Sequence, residues 1–387
     1  MAKAESVPMP VRLNAQAAVA LVVVLLTVIG LIAIYAASSL KGAQQFGDEY
    51  LFLRKQGVAA IAGFAAFFAL QRLPMSWIDH MAMPLMGLTL LLLLLIFIPG
   101  AYTKIGGASR WLNLPFIGGQ PSELTKLAMV LFLARNLSRP KSDMNSLSTG
   151  VLPNLAVFGL LAGLLLMQKD LGTPVLLFSV TFAMMFAAGL SRRFIFGGIG
   201  LAASAVIGAV LFEPYRIQRI LSFVDPWAQV KGRGFQIIQS FVAFQNGGLF
   251  GAGLGESKQK LFFLPEAHTD FILAVIGEEL GLIGVLVVCA CFVYLTFVGF
   301  HISRCQQGAY RRFLAFGLTA TVAVQACINM GVCMGLLPTK GMTLPLVSSG
   351  NSSLLVFLVI SAILARLAKE SAKASEVLQT HAGEGIS

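Results

Sequence analysis

Acidic and basic residues surround Asp270, a candidate for chemistry in this sequence. Glu266 and His268 come shortly before it, and Lys258 and Lys260 lie close by in the chain. A carboxylate at the mouth of a partly apolar cavity can act as a general base. The alternative is a helix N-cap, because an aspartate at the start of a helix accepts hydrogen bonds from backbone N–H groups.

Glu123 and Lys126 lie in a segment that is otherwise apolar enough to enter a membrane. Ionisable residues at membrane depth are costly and mark functional sites. Because the two residues are three apart, they share one face of a helix. Two compatible interpretations follow: an internal ion pair that joins helices, or a polar wall of a substrate cavity in which Lys126 contacts an anion.

Two polar segments near the end of the chain are further candidates. Residues 335–341 place Lys340 in a predicted tight turn, and residues 345–353 place Ser348 and Ser349 early in the predicted last span. Serine and glycine in a membrane helix usually indicate close helix packing. The alternative is a hydrogen-bonding surface for a polyhydroxylated ligand.

A set of basic residues is predicted to lie on one side of the membrane. It suits an anionic headgroup such as a pyrophosphate, carried on a lipid tail between helices. The sequence has no P-loop, dinucleotide-binding or His-rich metal motif, so an ATP-driven mechanism lacks its signature. The members of this set are Arg110, Lys126, Arg216, Arg219, Lys258, Lys260 and Lys340.

The composition identifies the class of protein that must position these residues. Of the 387 residues, 57% are hydrophobic and only 12% are charged, whereas a soluble domain carries roughly 25% charge. This excludes a soluble enzyme, a disordered chain and a fibrous protein. The net charge of +11 comes from basic residues scattered between apolar runs, so it does not indicate nucleic-acid binding, which clusters basic residues on one face.

The apolar runs predict an all-α polytopic membrane protein with about ten transmembrane helices, since a span needs about 20 apolar residues. We expect a cytoplasmic tail over 1–15, a membrane domain over 16–368 and a cytoplasmic tail over 369–387. The short loops that this assigns to the cytoplasm hold about twice as many Lys and Arg residues as those outside. Extracytoplasmic loops 100–121 and 213–270 should form the site, the second as a large ordered loop between spans 7 and 8 with short amphipathic helices. The predicted spans are 16–38, 55–71, 82–99, 122–136, 151–168, 173–190, 194–212, 271–300, 313–336 and 343–367.

Several motifs in this chain resemble those of the SEDS family, the proteins of shape, elongation, division and sporulation. The resemblance extends from about residue 17 to 367, and LPEAHTDF is highly specific. Within the family, residues 219–227 and 253–257 are similar to the FtsW division branch. The motifs are 107–112 (GASRWL), 120–126 (QPSELTK), 170–173 (DLGT), 247–255 (GGLFGAGLG), 264–271 (LPEAHTDF) and 338–341 (PTKG).

The resemblance implies a peptidoglycan glycosyltransferase of the inner membrane, which polymerises lipid II into β-1,4 glycan strands on the outer face and releases undecaprenyl pyrophosphate. The family's essential aspartate corresponds to Asp270. The implied partners are lipid II, the growing glycan strand, a class B penicillin-binding transpeptidase and other divisome proteins. No cofactor is implied with certainty, and a divalent cation such as Mg²⁺ stays open. The predicted substrate-binding residues are Arg110, Glu123, Lys126, Arg219, Lys260, Glu266, His268, Lys340, Ser348 and Ser349.

Two segments depart from the family pattern. Lys169 stands where the family usually has proline before its aspartate, and residues 348–352 lack the usual tyrosine and second glycine. Two other functions need similar features: a lipid II flippase would require a polar cavity, and a non-catalytic divisome scaffold would retain the partner surface. The clustering of polar residues on one side favours chemistry there over transport.

Overall fold

The computed structural model describes residues 14–384 apart from 101, 106–107, 113–118, 212–213, 231–233, 258–263 and 265–266. The chain is mostly helical. A π-helical turn at Leu147–Val151 and a 3-10 turn at Trp227–Gln229 lie between longer helices. The helices are α1 (Ala15–Phe46), α2 (Leu51–Arg72), α3 (Met75–His80), α4 (Ala82–Leu95), α5 (Pro121–Leu137), α6 (Leu152–Met167), α7 (Gly172–Ala187), α8 (Arg192–Leu211), α9 (Pro214–Val224), α10 (Gly234–Gly247), α11 (Ile272–Cys305), α12 (Ala309–Cys333) and α13 (Asn351–Glu384).

Each predicted span overlaps one of these helices. Within the described ranges, six helical segments are long and apolar enough to cross a membrane, so the chain is a multi-pass membrane protein. The number of ten spans stays a prediction. The helix that contains the last span continues past the predicted membrane boundary at 368. The six segments are Ala15–Phe46, Leu51–Arg72, Leu147–Met167, Ile272–Cys305, Ala309–Cys333 and Asn351–Ala372.

Helix α5 is the centre of the bundle and packs against α4, α7, α12 and α13. It is buried on nearly every side, and its two buried charged residues, Glu123 and Lys126, pair with each other. Helix α13 packs mainly against α2 and α1. We call one end of the bundle the site end. Four helices begin there, α5, α7, α11 and α13, and α12 ends there.

A small β-hairpin interrupts the predicted all-α fold in the segment 100–121. Strands β1 (Tyr102–Ile105) and β2 (Ala108–Leu112) are antiparallel, with Thr103 opposite Trp111. Aromatic and β-branched residues such as these favour strands, and two glycines separate the strands in the sequence. The Leu112 N–H donates to the carbonyl of Gly119 at 3.1 Å, which ties the hairpin to the segment preceding α5.

A break at Gly281 divides α11 into two helical parts. Gly281 adopts φ 68° and ψ −166°, a conformation that glycine tolerates and other residues rarely adopt. The glycine-rich segment 247–253 replaces the missing helical hydrogen bonds. The Ala252 N–H donates to the Glu278 carbonyl at 2.9 Å, and the Leu282 N–H donates to the Gly248 carbonyl at 2.9 Å. The glycine motif therefore fixes the first part of α11, which begins beside Asp270.

The prediction that the last span begins at 343 is wrong, because the helix begins at Asn351. Ser348 and Ser349 consequently precede the helix instead of lying inside it. Pro345 has no backbone N–H to donate to a helix, and Leu346 has a positive φ of 65°. An irregular segment over 334–350 thus connects α12 to α13 and carries both Lys340 and the serines.

Candidate active site

Asp270 lies in the turn that precedes α11 and is half-buried. Its backbone carbonyl accepts hydrogen bonds from two side chains of α12, Asn329 Nδ2 at 2.9 Å and Cys333 Sγ at 3.3 Å. Phe271, rather than Asp270, occupies the N-cap position of α11, so the simple cap interpretation does not describe this aspartate. The carboxylate faces Gly341, since a Cβ added to that glycine would lie 3.4 Å from Asp270 Oδ2.

Asn329 joins Asp270 to the segment that carries Lys340. The same Nδ2 group that holds the Asp270 carbonyl also donates to the Met342 carbonyl at 2.6 Å. Asn329 was not among the predicted site residues, although an amide inside an apolar run is a recognisable signal at membrane depth. Its two contacts fix the backbone at Met342, next to Gly341, relative to the residue that carries the candidate catalytic carboxylate.

Lys340 is half-buried next to Gly341 and borders two other charged groups. Burial lowers the pKa of its ammonium group, the Asp170 carboxylate opposes this effect, and the Arg219 guanidinium adds to it. Arg219 donates from Nη1 to the Thr339 carbonyl at 3.1 Å. Arg219 and Asp170 are therefore both close enough to Lys340 to affect its charge, although the three residues come from distant parts of the chain.

Arg110 on β2 contacts the segment that precedes α7. Its Nη1 lies 3.9 Å from Asp170 Oδ1, and its guanidinium also donates to the carbonyls of Gln168 and Lys169. Asp170 accepts from the Gly172 N–H at 3.0 Å and from Thr173 Oγ1 at 2.7 Å. Asp170 was not among the predicted binding residues, yet it orients both Arg110 and the start of α7.

The departure at Lys169 has a local structural explanation. Lys169 adopts φ 61°, whereas the pyrrolidine ring of proline fixes φ near −65°. This turn conformation is therefore closed to the proline that the family usually has there. Its carbonyl is one of the groups that Arg110 holds.

Glu123 and Lys126 form a closed pair inside the bundle. Lys126 Nζ donates to Glu123 Oε1 at 2.7 Å and to Gln325 Oε1 on α12 at 2.7 Å. It also lies 5.4 Å from the ring centroid of Phe357 on α13. Gln325 in turn donates to the Thr343 carbonyl at 2.9 Å. This geometry favours an ion pair that helps to join helices, rather than an open contact between Lys126 and a substrate anion.

His268, Ser348 and Ser349 hold the irregular segment in place. The buried His268 ring lies 5.0 Å from the Phe52 ring, and its backbone carbonyl accepts from the Ser349 N–H at 2.9 Å. Ser348 Oγ accepts from the Leu344 N–H at 2.8 Å. Gln56 of α2 also fixes this segment, because its Oε1 accepts from the Gly350 N–H at 3.1 Å.

Some of the predicted groups lie in parts of the chain that the structure does not describe. Lys260 and Glu266, like Lys258, lie outside the described residues, and so does the side chain of Arg216. Among the residues whose positions are described, no three His, Cys, Asp or Glu side chains come together as a possible metal site. The Mg²⁺ considered from the sequence stays a prediction.

Comparison with known proteins identifies the family. The model of the FtsW/RodA/SpoVE family, described as cell cycle proteins, matches residues 16–373. The chain belongs to this family. It is 45% identical to a probable peptidoglycan glycosyltransferase FtsW of Geobacter metallireducens, over 89% of this chain and 92% of the relative. It is 41% identical to a protein of the same name in Escherichia coli O157:H7, over 89% and 84% of the two chains. The resemblance inferred from the motifs is thus confirmed.

Solved structures of family members have the same fold. A chain from a peptidoglycan synthase complex that coordinates polymerization and crosslinking aligns with a TM-score of 0.73 and 28% identity, covering 91% of this chain and 97% of that one. Thermus thermophilus RodA, a rod shape determining protein, aligns with a TM-score of 0.66 and 26% identity, covering 91% and 96%. The FtsW/RodA/SpoVE match therefore extends to the whole membrane domain.

Proposed function

We propose that this chain is a peptidoglycan glycosyltransferase, which polymerises lipid II into β-1,4 glycan strands during cell division. The enzyme class agrees with the names of the relatives, which match over most of their length. One observation carries the assignment of the site: the Asp270 carboxylate faces Gly341, immediately next to the half-buried Lys340. A carboxylate that faces the chain segment carrying a cation suits a reaction that removes a proton while a phosphate leaves.

In the proposed mechanism, Asp270 accepts the proton of the acceptor sugar's 4-hydroxyl group. That oxygen forms a bond to the anomeric carbon of the growing strand, and the bond between this carbon and the pyrophosphate breaks. The electron pair stays on the departing undecaprenyl pyrophosphate. Fixed cations stabilise charge that develops in a transition state, and Lys340, Arg219 and Arg110 are the described candidates.

Asn329 and Cys333 position the base, because both hold the backbone carbonyl of Asp270 from α12. Lys126 and Glu123 have a different part in this proposal. Their contacts with Gln325 and, through it, Thr343 fix the segment 334–350 against α5. The catalytic geometry then depends on the pair without requiring that substrate touch it.

We place the site on the extracytoplasmic face of the inner membrane, with both chain termini in the cytoplasm. The distribution of Lys and Arg between the short loops supports this orientation. A class B penicillin-binding transpeptidase is the proposed partner, together with other divisome proteins. The similarity to a chain of a peptidoglycan synthase complex supports such a partnership.

A polymerisation assay tests this function. Purified protein, with and without a cognate class B transpeptidase, is given lipid II, and the glycan product is separated on a gel. Wild-type protein with its partner should form polymer, and Asp270→Asn should form none because an amide cannot accept the proton. The matched control is Asp143→Asn, which changes a carboxylate whose described contact is with Asn145 beyond the opposite end of α5.

Near-normal polymer from Asp270→Asn would contradict the assignment of the base. If folded wild-type protein with bound partner forms no polymer, a leaflet-exchange assay with labelled lipid II separates the other two functions. Movement of lipid II between leaflets would identify a flippase, and its absence would favour the scaffold.

A further inference from the structure

An apolar slot lies between α7 and α12 at the site end of the bundle. Its volume is about 350 Å³, at the low end of the range for ligand pockets. It extends from Lys340 to Ala323, which lies about 15 Å along α12 from Cys333 at the helical rise of 1.5 Å per residue. We call it the α7–α12 slot, and it is lined by Val175, Ser179, Ala323, Val324, Cys327, Ile328, Leu337, Pro338 and Lys340.

The lining of the α7–α12 slot excludes a polar ligand along most of its length. Ser179 is the lining residue with a hydroxyl group, and this hydroxyl already donates to the Val175 carbonyl at 2.9 Å. Cys327 is exposed, so the slot opens on the outer surface of the bundle, where lipid chains lie. The ligand that fits such walls is a hydrocarbon chain that can enter and leave sideways.

The charged end of the slot indicates what the chain must carry. Lys340 lines the slot, the neighbouring Thr339 carbonyl accepts a hydrogen bond from Arg219, and the Asp170 carboxylate interacts electrostatically with Lys340. A half-buried ammonium group is costly unless it is paired, and within the described ranges Lys340 makes no ion pair. An anionic headgroup above an apolar tail is therefore complementary to this end of the slot.

The position of Asp270 distinguishes the two lipid-linked substrates of the proposed reaction. In the donor, the pyrophosphate is bonded to the anomeric carbon under attack, so it must lie within a few ångströms of the base. In the acceptor, a disaccharide separates the reacting hydroxyl from the pyrophosphate. Only the donor can place its pyrophosphate at Lys340 while its reacting carbon faces Asp270 across Gly341.

We infer that the α7–α12 slot holds the polyprenyl chain of the donor, the growing strand, with its pyrophosphate at Lys340 and Arg219. This inference rests on the proposed glycosyltransferase function. The slot takes the part of the chain nearest the headgroup, and the remainder lies in the bilayer. After the anomeric carbon–oxygen bond breaks, undecaprenyl pyrophosphate leaves past Cys327 into the membrane.

Binding measured without turnover tests the slot separately from catalysis. Native mass spectrometry of the full-length protein measures occupancy by undecaprenyl pyrophosphate, undecaprenyl phosphate and phosphatidylglycerol. Ala323→Trp should fill the slot and weaken undecaprenyl pyrophosphate binding at least tenfold. The matched control is Val293→Trp on α11, where the side chain is exposed on another lipid-facing surface and binding should stay unchanged.

A photocrosslinking experiment on wild-type protein avoids any folding defect of Ala323→Trp. A polyprenyl pyrophosphate with a diazirine in its first isoprene units should label peptides of α7 and α12. Labelling confined to other helices would overturn the inference. Equal occupancy by phosphatidylglycerol, or equal binding by Ala323→Trp and Val293→Trp, would also overturn it.

The two proposals fail in different ways. If wild-type protein polymerises lipid II but Ala323→Trp binds undecaprenyl pyrophosphate normally, the slot assignment is wrong and the enzyme assignment stands. If the slot binds undecaprenyl pyrophosphate and no condition yields polymer, the lipid site stands, but its assignment to a polymerase donor is wrong.

Discussion

Two lysines near the site end of the bundle have opposite surroundings. Lys126 is 2% exposed and its ammonium group is fully engaged by Glu123, Gln325 and the face of Phe357. Lys340 is half-buried, borders an apolar slot and, within the described part of the chain, makes no ion pair. The difference teaches that a charge in a membrane protein can hold the fold together or stay available for a ligand, and its partners decide which.

The largest expected effect concerns Lys126. Lys126→Ala should lower the free energy of unfolding by about 3–5 kcal/mol, because it leaves the Glu123 carboxylate buried without its counter-charge. Thermal unfolding of the purified protein in detergent measures the loss. The double variant Glu123→Gln with Lys126→Met removes both charges and should lose much less; equal losses would refute the structural role of the pair.

Lys340→Ala should lower activity and leave stability nearly unchanged. We expect the polymerisation rate to fall about 100- to 1000-fold, the typical result of removing one group that stabilises developing negative charge. The free energy of unfolding should stay within about 0.5 kcal/mol of wild type. Lys55→Ala, which removes an exposed ammonium group, is the control. A large loss of stability in Lys340→Ala together with normal polymerisation would contradict the prediction, because Lys340 would then have the structural role of Lys126.

The pH dependence sharpens the same contrast. Since burial lowers the pKa of Lys340 below its ordinary value of 10.5, the polymerisation rate should fall as pH rises through the lowered pKa. Stability should rise over the same window, because the unfolded chain binds more protons there than the folded one. In Asp170→Asn the fall of the polymerisation rate should occur at lower pH, because the Asp170 carboxylate raises the pKa of Lys340.

Lys340→Arg is the control for this titration. A guanidinium group stays protonated over the whole pH range. The fall of the polymerisation rate at high pH should therefore disappear in Lys340→Arg, even if the overall rate is lower. A limb that persists unchanged in Lys340→Arg would assign the titration to another group.

The smallest expected effect is at Gly341. In Gly341→Ala the new Cβ would lie 3.4 Å from Asp270 Oδ2, an ordinary van der Waals contact that narrows the space between base and cation. The polymerisation rate should fall by less than about tenfold, which corresponds to ~1.4 kcal/mol. Gly350→Ala adds a Cβ at 3.4 Å from Thr343 instead and is the matched control. Equal polymerisation rates for both variants would mean that substrate does not occupy the space between Asp270 and Gly341.

Local patterns predicted the helices well where apolar runs are continuous. The predicted spans match helices because a membrane span is specified by some 20 neighbouring residues. The start of α13 was placed at 343 instead of Asn351, since hydropathy does not register the effects of Pro345 or of the positive φ at Leu346. The hairpin in 100–121 was missed because short strands in a glycine-rich segment give little periodicity.

The candidate site was predictable in part. The motif around Asp270 and the basic residues near it were visible in the sequence. Asn329 and Gln325 were overlooked because each appears as a single polar residue in an apolar run, and Gln56 because it follows two charged residues at the start of a span. The partners of all three appear only after folding. Asp170 was noticed as a motif residue, while its contacts with Arg110 and the start of α7 required the folded chain.

By itself, the sequence determined that this is a helical membrane protein of the FtsW/RodA/SpoVE family, because composition, apolar runs and motifs are properties of neighbouring residues. Only the tertiary structure decided which charges are paired and which border the slot. Lys126 meets Gln325 across 199 residues, and Gln56 meets Gly350 across 294. Such contacts depend on how α2, α5, α12 and α13 pack, and this packing determines that Lys340, rather than Lys126, lies beside Asp270 at an open apolar slot.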